Sequence, residues 1–518
     1  MKQPTFNLID QPWIPCVRLD GRVEELGLMD TLLQAHQLQG LGGDSPLVTA
    51  ALYRLLLAIL YRAVGPPPHD EAWEKLWRAG RWNAERIGPY LERWRDRFDL
   101  FHPEHPFYQW QGRNSKVKSV NQMLFDVASG NNATLFDHHT DIDSVYLSPQ
   151  TASRVLLAVQ ALSPAGTGGL APKDSANAPW ATGAIFLAEG KTLFDTLAFN
   201  LMPASFWGDA FSGTNDLPVW ESDDPLTPER SAPLGITDYL TWPNRSIRFI
   251  PEWHSQELVV PEAEMGSGLK LDGLLDPFKH YRIDKQRGHI PLRFSEYKAL
   301  WRDSASLLRF QRTRTDVRAP RVLDWMATLL ENEALPATYP YRLMALGMAS
   351  NKAKIEFYRE EHMPLPAEYL QDESLVDKLS VAIAQADEVR KILMRAISRL
   401  ATLVISPTAD APDGRKPDKK DVNNLMGHWA TERFYWAELE PAFFQLLENL
   451  PKNPDEASAR WLNALIATAE NAFTRTETAL PDDARGLRAA VRGRGQLMGG
   501  LKKFREETSQ QEVTHDSN

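Results

Sequence analysis

Cysteine is almost missing from this sequence. Cys16 is the single one in 518 residues, which excludes an internal disulfide framework and any multi-cysteine zinc or iron–sulfur centre and fits a reducing compartment. Long apolar runs are scarce as well. The longest, residues 55–60, is bounded by Arg54 and Arg62, and residues 1–5 lack the apolar core of a signal peptide, so the expectation is a soluble, cytoplasmic protein. There is no Gly-rich loop ending in Gly-Lys-Ser/Thr, no Gly-x-Ser-x-Gly elbow and no Cys-x-x-Cys pair, which removes the common nucleotide-binding, hydrolase and redox signatures. Neither a βαβ rhythm nor an internal repeat is visible, which argues against a doubly wound parallel sheet. An excess of positive charge is missing too. With 58 Lys and Arg against 68 Asp and Glu the net charge is −10, whereas phosphate neutralisation supplies most of the affinity of a non-specific nucleic-acid binder. A subunit that borrows affinity from a larger basic assembly, by contrast, needs few local cations to read a sequence.

What is present is a long, aromatic-rich chain. At 518 residues with 43% hydrophobic content it exceeds what one core usually organises, so two domains are expected. Sixteen Trp and 36 Pro point to a loop-rich body held by aromatic anchors. Near the N-terminus, residues 13–19 and 22–25 read as a hairpin turned at Asp20-Gly21. A helix from about Met29 should follow. Ser45 is placed to cap a further helix with Pro46 at its first position, running over residues 47–63 and closed by Gly65-Pro66-Pro67-Pro68. From there to about residue 365, short strands and helices alternate with Pro/Gly/Asn/Asp loops.

After Met363-Pro364-Leu365-Pro366 the pattern changes. Leu375, Leu379, Ile383, Ala386, Val389, Leu393, Ile397, Leu400 and Val404 alternate steps of three and four, which places them on one face of a long helix. A polar linker leads to three more helical stretches, near 424–450, 454–480 and 481–505, punctuated by Pro451 and Pro481. The expected architecture is α+β: a large loop-rich mixed domain over residues 1–368, a C-terminal four-helix bundle over 369–506, and a disordered polar tail over 507–518.

The densest polar cluster, Asp137-His138-His139-Thr140-Asp141-Ile142-Asp143, carries residue types that ligate metals. The adjacent His-Asp pair that HD-type phosphohydrolases use is absent from this cluster. The reading adopted is therefore no catalytic residue, no metal and no cofactor. A metal-dependent nucleic-acid hydrolase using His138, His139, Asp141 and Asp143 is one rival, and a purely structural scaffold is the other. Residues 129–138 suit a binding loop better, with flexible polar groups around Phe136 for stacking on a base. Ser163-Pro164-Ala165-Gly166-Thr167-Gly168-Gly169 would let the backbone approach a groove closely. Lys279, Arg282, Lys285 and Arg287, four cations around a hairpin tip at Gly288, would form a positive finger. Arg485, Arg488 and Arg492 recur at helical spacing, on a face that could follow a DNA strand or dock a subunit.

Several stretches carry a family resemblance. They are Phe6-Asn7-Leu8-Ile9-Asp10-Gln11-Pro12-Trp13-Ile14-Pro15, then Ser45-Pro46 and the apolar-basic run 52–60, Ala178-Pro179-Trp180-Ala181-Thr182-Gly183-Ala184, Thr241-Trp242-Pro243 ahead of Ile250-Pro251, Ala299-Leu300-Trp301-Arg302-Asp303, and Gly347-Met348-Ala349 leading to Ala353-Lys354-Ile355. In order and spacing this set resembles the CasA family, the large subunit of the type I-E CRISPR surveillance complex Cascade. The resemblance implies a recognition subunit with a C-terminal bundle. Its partners would be the other Cascade subunits, the CRISPR guide RNA, double-stranded target DNA and a helicase-nuclease effector. It implies a guide-handle loop at Asn131, Phe136 and His138, and a minor-groove loop at Gly166, Gly168 and Gly169 with Lys173 as phosphate support. A lysine finger follows at Lys285 or Arg287, and a strand wedge at Asn351 and Lys352. Relatives carry Gln at the wedge tip; the Lys352 found here lacks the flat amide that imitates a base edge.

Overall fold

The computed structural model describes residues 3–112, 114–125, 145–167, 170–171, 175–295, 298–308, 317–351 and 354–515. The chain divides into two compact units. The first comprises Met1–Leu300 and Leu307–Gln371; the second comprises Trp301–Ser306 and Asp372–Asn518.

In the first unit the Asp20-Gly21 turn forms as its chemistry requires, with Gly21 at φ +83° between strands β1 (Ile14–Arg18) and β2 (Val23–Leu26). Helix α1 (Pro46–Ala63) starts on the Ser45 hydroxyl, which accepts the Val48 N–H, and Gly65 turns the chain away at φ +89°. By length and composition α1 could cross a membrane, yet its residues from Leu47 to Tyr61 are buried in the protein. A second buried helix, α2 (Pro149–Leu162), is capped by Ser148 and lies against α1. From α2, Arg154 reaches back to the N-terminal hairpin, donating to Trp13 O (2.8 Å) and pairing with Glu25 (2.6 Å). Four three-stranded antiparallel sheets surround these helices among the described residues. Three of them carry stretches singled out in the sequence. Strands β3 (Arg245–His254) and β4 (Glu257–Ser267) form a long hairpin; β5 (Tyr281–Asp284) and β6 (Gly288–Pro291) form a short one; β7 (Arg342–Asn351) and β8 (Lys354–Pro364) form a third, with strand Ile185–Glu189 on the other side of β7. The expected aromatic anchoring is visible: Trp13, Trp73, Trp180, Trp207, Trp242 and Trp325 are among the largest fully buried side chains. Cys16 is buried as well, and desolvation pushes its thiol up to about 12, which makes it inert.

The second unit is an antiparallel bundle. Helix α3 (Glu373–Ile405) buries the predicted positions except Ile383 and Val404, which are half-buried. The single stretch expected near 424–450 is two helices, α4 (Lys419–Trp429) and α5 (Thr431–Asn449), because Ala430 takes φ +52°, a left-handed conformation no helix interior accommodates. Helices α6 (Pro454–Glu477) and α7 (Ala484–His515) complete it. Helix α7 runs well past residue 507, so most of the tail expected to be disordered is helical; Lys502–Glu506 and Lys503–Glu507 pairs at i,i+4 support it. Close helix approach depends on two glycines of α7. A Cβ on Gly500 would sit 2.5 Å from Ile392 Cγ2, and one on Gly493 2.9 Å from the Phe473 ring.

Trp301–Ser306, far upstream in sequence, belongs to this bundle. Trp301 stacks on Phe443 with ring centroids 4.5 Å apart and meets Trp436 and Trp461 edge-on. The neighbouring Arg302 lies with its guanidinium carbon 3.6 Å from the Trp436 ring centroid.

Candidate nucleic-acid interface

Strand Ile185–Glu189 and the residues just before it connect three of the elements singled out in the sequence. It follows the glycine loop in the chain, with residues 170–184 between them. On one side it meets the finger: Ala184 N–H donates to Leu292 O (2.7 Å) and Phe186 N–H to Phe278 O (2.8 Å). On the other side it pairs with β7, Ile185 opposite Leu346, so the hairpin that carries the wedge position is its neighbour in the sheet. Gly183, at φ +84°, allows the crossing; a Cβ there would lie 2.7 Å from Pro291 Cβ.

A buried polar cluster ties the roots of the loop and the finger. Asp276 accepts the Trp180 indole N–H (2.8 Å), the Tyr239 hydroxyl and the Phe278 N–H (2.7 Å), while its own N–H donates to the Tyr281 hydroxyl oxygen (2.9 Å). Arg54 donates to Tyr239 O and packs its guanidinium over the Trp180 and Tyr239 rings, 4.8 and 4.5 Å from their centroids. Lys279 donates to Pro179 O (2.7 Å). Burial pushes Lys279 down to about 8, against the opposing pull of Asp276, and lifts the Tyr239 phenol well above its ordinary range.

Lys279 therefore corrects one expectation: it belongs to the core, and the positive finger has three cations. Arg282, Lys285 and Arg287 are exposed on it. The tip is built by Asp284, whose carboxylate accepts the Gln286 and Arg287 N–H groups (2.9 Å each), and by Gly288 at φ +69°. These backbone bonds hold the Asp284 carboxyl below its usual range.

In the glycine loop, Gly166 takes φ +94°, which a side-chain-bearing residue tolerates poorly. Its N–H does not face outward; it donates to Ser175 Oγ (2.9 Å). The Gly166 N–H is thus used within the loop. Gly168, Gly169 and Lys173 lie outside the described residues, as does Lys352. Asn351 ends β7, its backbone opposite Lys354. Asn131, Phe136 and His138, together with the His139, Asp141 and Asp143 of the rival metal reading, also lie outside them. Among the described residues no cluster of three or more His, Cys, Asp or Glu could hold a metal. In the second unit, Arg485, Arg488 and Arg492 are exposed on α7, interleaved with the exposed Leu487 and Val491. Arg485 is held by Asp483 (3.0 Å) at the helix start.

Comparison with known proteins places this arrangement first in a class, the CRISPR-associated proteins. The Cse1 crystal structure from Acidimicrobium ferrooxidans superposes with a TM-score of 0.79 at 25% identity, covering 98% of this chain and 99% of that one. A chain of a CRISPR RNA-guided surveillance complex shares the fold (TM-score 0.73, 23% identity, 96% and 100% covered). The family described as CRISPR-associated protein Cse1 matches residues 7–472. A CasA/Cse1 protein of Thermus thermophilus is 34% identical over a 522-position alignment that covers 96% of this chain and 98% of that protein. The chain belongs to the Cse1, or CasA, family.

Proposed function

We propose that this chain is the non-catalytic large subunit of a type I-E-like Cascade complex, acting in the cytoplasm. It binds at the guide-RNA handle end and reads a short motif in duplex DNA through the minor groove, using the glycine loop and the finger at Lys285 and Arg287. It then opens the adjacent duplex at residues 351–352 so that the guide pairs with its target, and helps recruit a helicase-nuclease once the R-loop has formed. In such a system base pairing carries most sequence specificity, and the protein reads only the motif and the backbone shape.

One observation carries this reading. The loop, the finger and the wedge hairpin all spring from the segment around Ile185–Glu189 in one compact unit, which suits elements that act on one stretch of duplex. The net charge of −10 fits a reader that depends on its assembly for phosphate affinity. On the bundle, the exposed arginines of α7 suit contact with a displaced strand or an acidic subunit.

The test is a Lys285→Ala/Arg287→Ala double variant in the reconstituted complex. Losing two groove or phosphate contacts should weaken binding to a motif-bearing duplex about tenfold or more and flatten the salt dependence, with assembly intact. Unchanged affinity and salt slope would remove the finger from the mechanism.

A further inference from the structure

Arg245 opens strand β3 and is wholly buried, yet among the described residues no carboxylate pairs with it. Desolvation lowers it to about 10, so it stays charged at neutral pH. A buried cation without a counter-ion is costly unless its donors are well used. The two Arg245 Nη groups converge on the mouth of the glycine loop, and Nε has no partner among the described residues. Nη2 donates to Pro164 O (2.9 Å) at the start of the loop, and Nη1 donates to Ala176 O (3.0 Å) at its end. Nη1 also bonds Asn244 O (3.0 Å) and the Asn244 side-chain oxygen. The Arg245 backbone is itself fixed to α2 through Gln160, whose amide both accepts from Arg245 N–H (3.0 Å) and donates to Arg245 O (2.9 Å). Above this grip the mouth is laced again: Ala165 N–H donates to Asn177 Oδ1 (2.8 Å) and Gly166 N–H to Ser175 Oγ (2.9 Å).

We propose that Arg245 is a positioning residue for DNA-motif recognition, holding the two ends of the loop at a fixed separation and orientation so that its central residues meet the minor groove in register. This rests on the reading that the loop reads the motif. A planar guanidinium suits the task because it presents donors in a rigid fork and spans two carbonyls at once. A lysine at the same place would reach one of them. With the mouth released, the loop would sample many orientations and meet every flank about equally well.

The experiment uses complex reconstituted with the wild-type chain, Arg245→Met, Arg245→Lys and Gly168→Asp. Affinities are measured for guide-matched duplexes that differ only in the flanking base pairs, and for a single-stranded target that needs no duplex opening. Arg245→Met should lower the ratio of best to worst flank by about tenfold while single-strand binding is unchanged, and Arg245→Lys should recover part of the ratio. An assembled Arg245→Met complex with wild-type discrimination overturns the proposal. If Arg245→Met does not assemble, Arg245→Lys decides: it keeps the charge and reaches one carbonyl of the two, so a partly reduced ratio supports the positioning role and a wild-type ratio overturns it. If the wild type does not discriminate, or Gly168→Asp leaves the ratio untouched, the loop reading itself has failed, and the role of Arg245 falls with it.

Discussion

Replacing Asp276 with alanine is expected to cost about 3–5 kcal/mol of stability, the range for removing one partner from a buried charged network. Three donors lose their acceptor at once: the Trp180 indole, the Tyr239 hydroxyl and the Phe278 N–H. Lys279 loses the carboxylate that offsets its burial. Lys279 supplies a signature in pH. A lysine whose folded-state pKa lies below its unfolded value of about 10.4 costs stability while charged, and that cost is relieved as pH rises from the folded value toward the unfolded one. Wild-type Lys279 sits at about 8 with Asp276 pulling it upward. Without Asp276 the relief begins at lower pH, so the variant's stability should climb more steeply than that of the wild type between about pH 7 and 8. Urea unfolding of the full chain over that range measures both effects. A loss below about 1 kcal/mol, or a pH slope equal to that of the wild type, would mean the cluster is not coupled as its geometry indicates.

The second large effect is expected at Trp301→Ala. Its ring lies against Phe443, Trp436 and Trp461 in the centre of the bundle, and truncating such a residue costs about 3–5 kcal/mol because the cavity collapses only partly. Hydrogen exchange locates the damage: amides of α5 and α6 should lose protection while those of α1 and α2 keep theirs. Unchanged exchange in α5 and α6 would show that Trp301–Ser306 is a passive passenger.

Local signals are legible in the sequence because they act locally. Asp20-Gly21, Ser45-Pro46 and the spacing of three and four over 375–404 each dictate backbone geometry within a few residues, and each element forms. The break at Ala430 is not legible in the sequence, because alanine favours helix and its left-handed φ of +52° is not one that alanine's own preference announces. Lys279 looked like one of four finger cations because a charge run normally faces solvent. Its burial depends on Asp276 nearby and on Trp180 and Pro179 about a hundred positions upstream, which no local pattern reports. The same holds for Trp301–Ser306, whose packing partners lie more than a hundred residues downstream, and for Arg245, which reads as an ordinary strand cation until Pro164 and Ala176 are seen beside it. The family resemblance points to a loop, a finger and a wedge; it carries no information on what holds them. The Gly166 N–H is satisfied inside the loop for the same reason: its acceptor, Ser175, arrives from the other arm.

The most direct test of the account is duplex-DNA binding by the reconstituted complex with and without this chain, using targets that differ only in the few base pairs beside the guide-matched region. The account predicts that discrimination among flanks appears when the chain is present and vanishes when it is left out. Equal binding to every flank with the chain present would contradict it and leave the protein a scaffold.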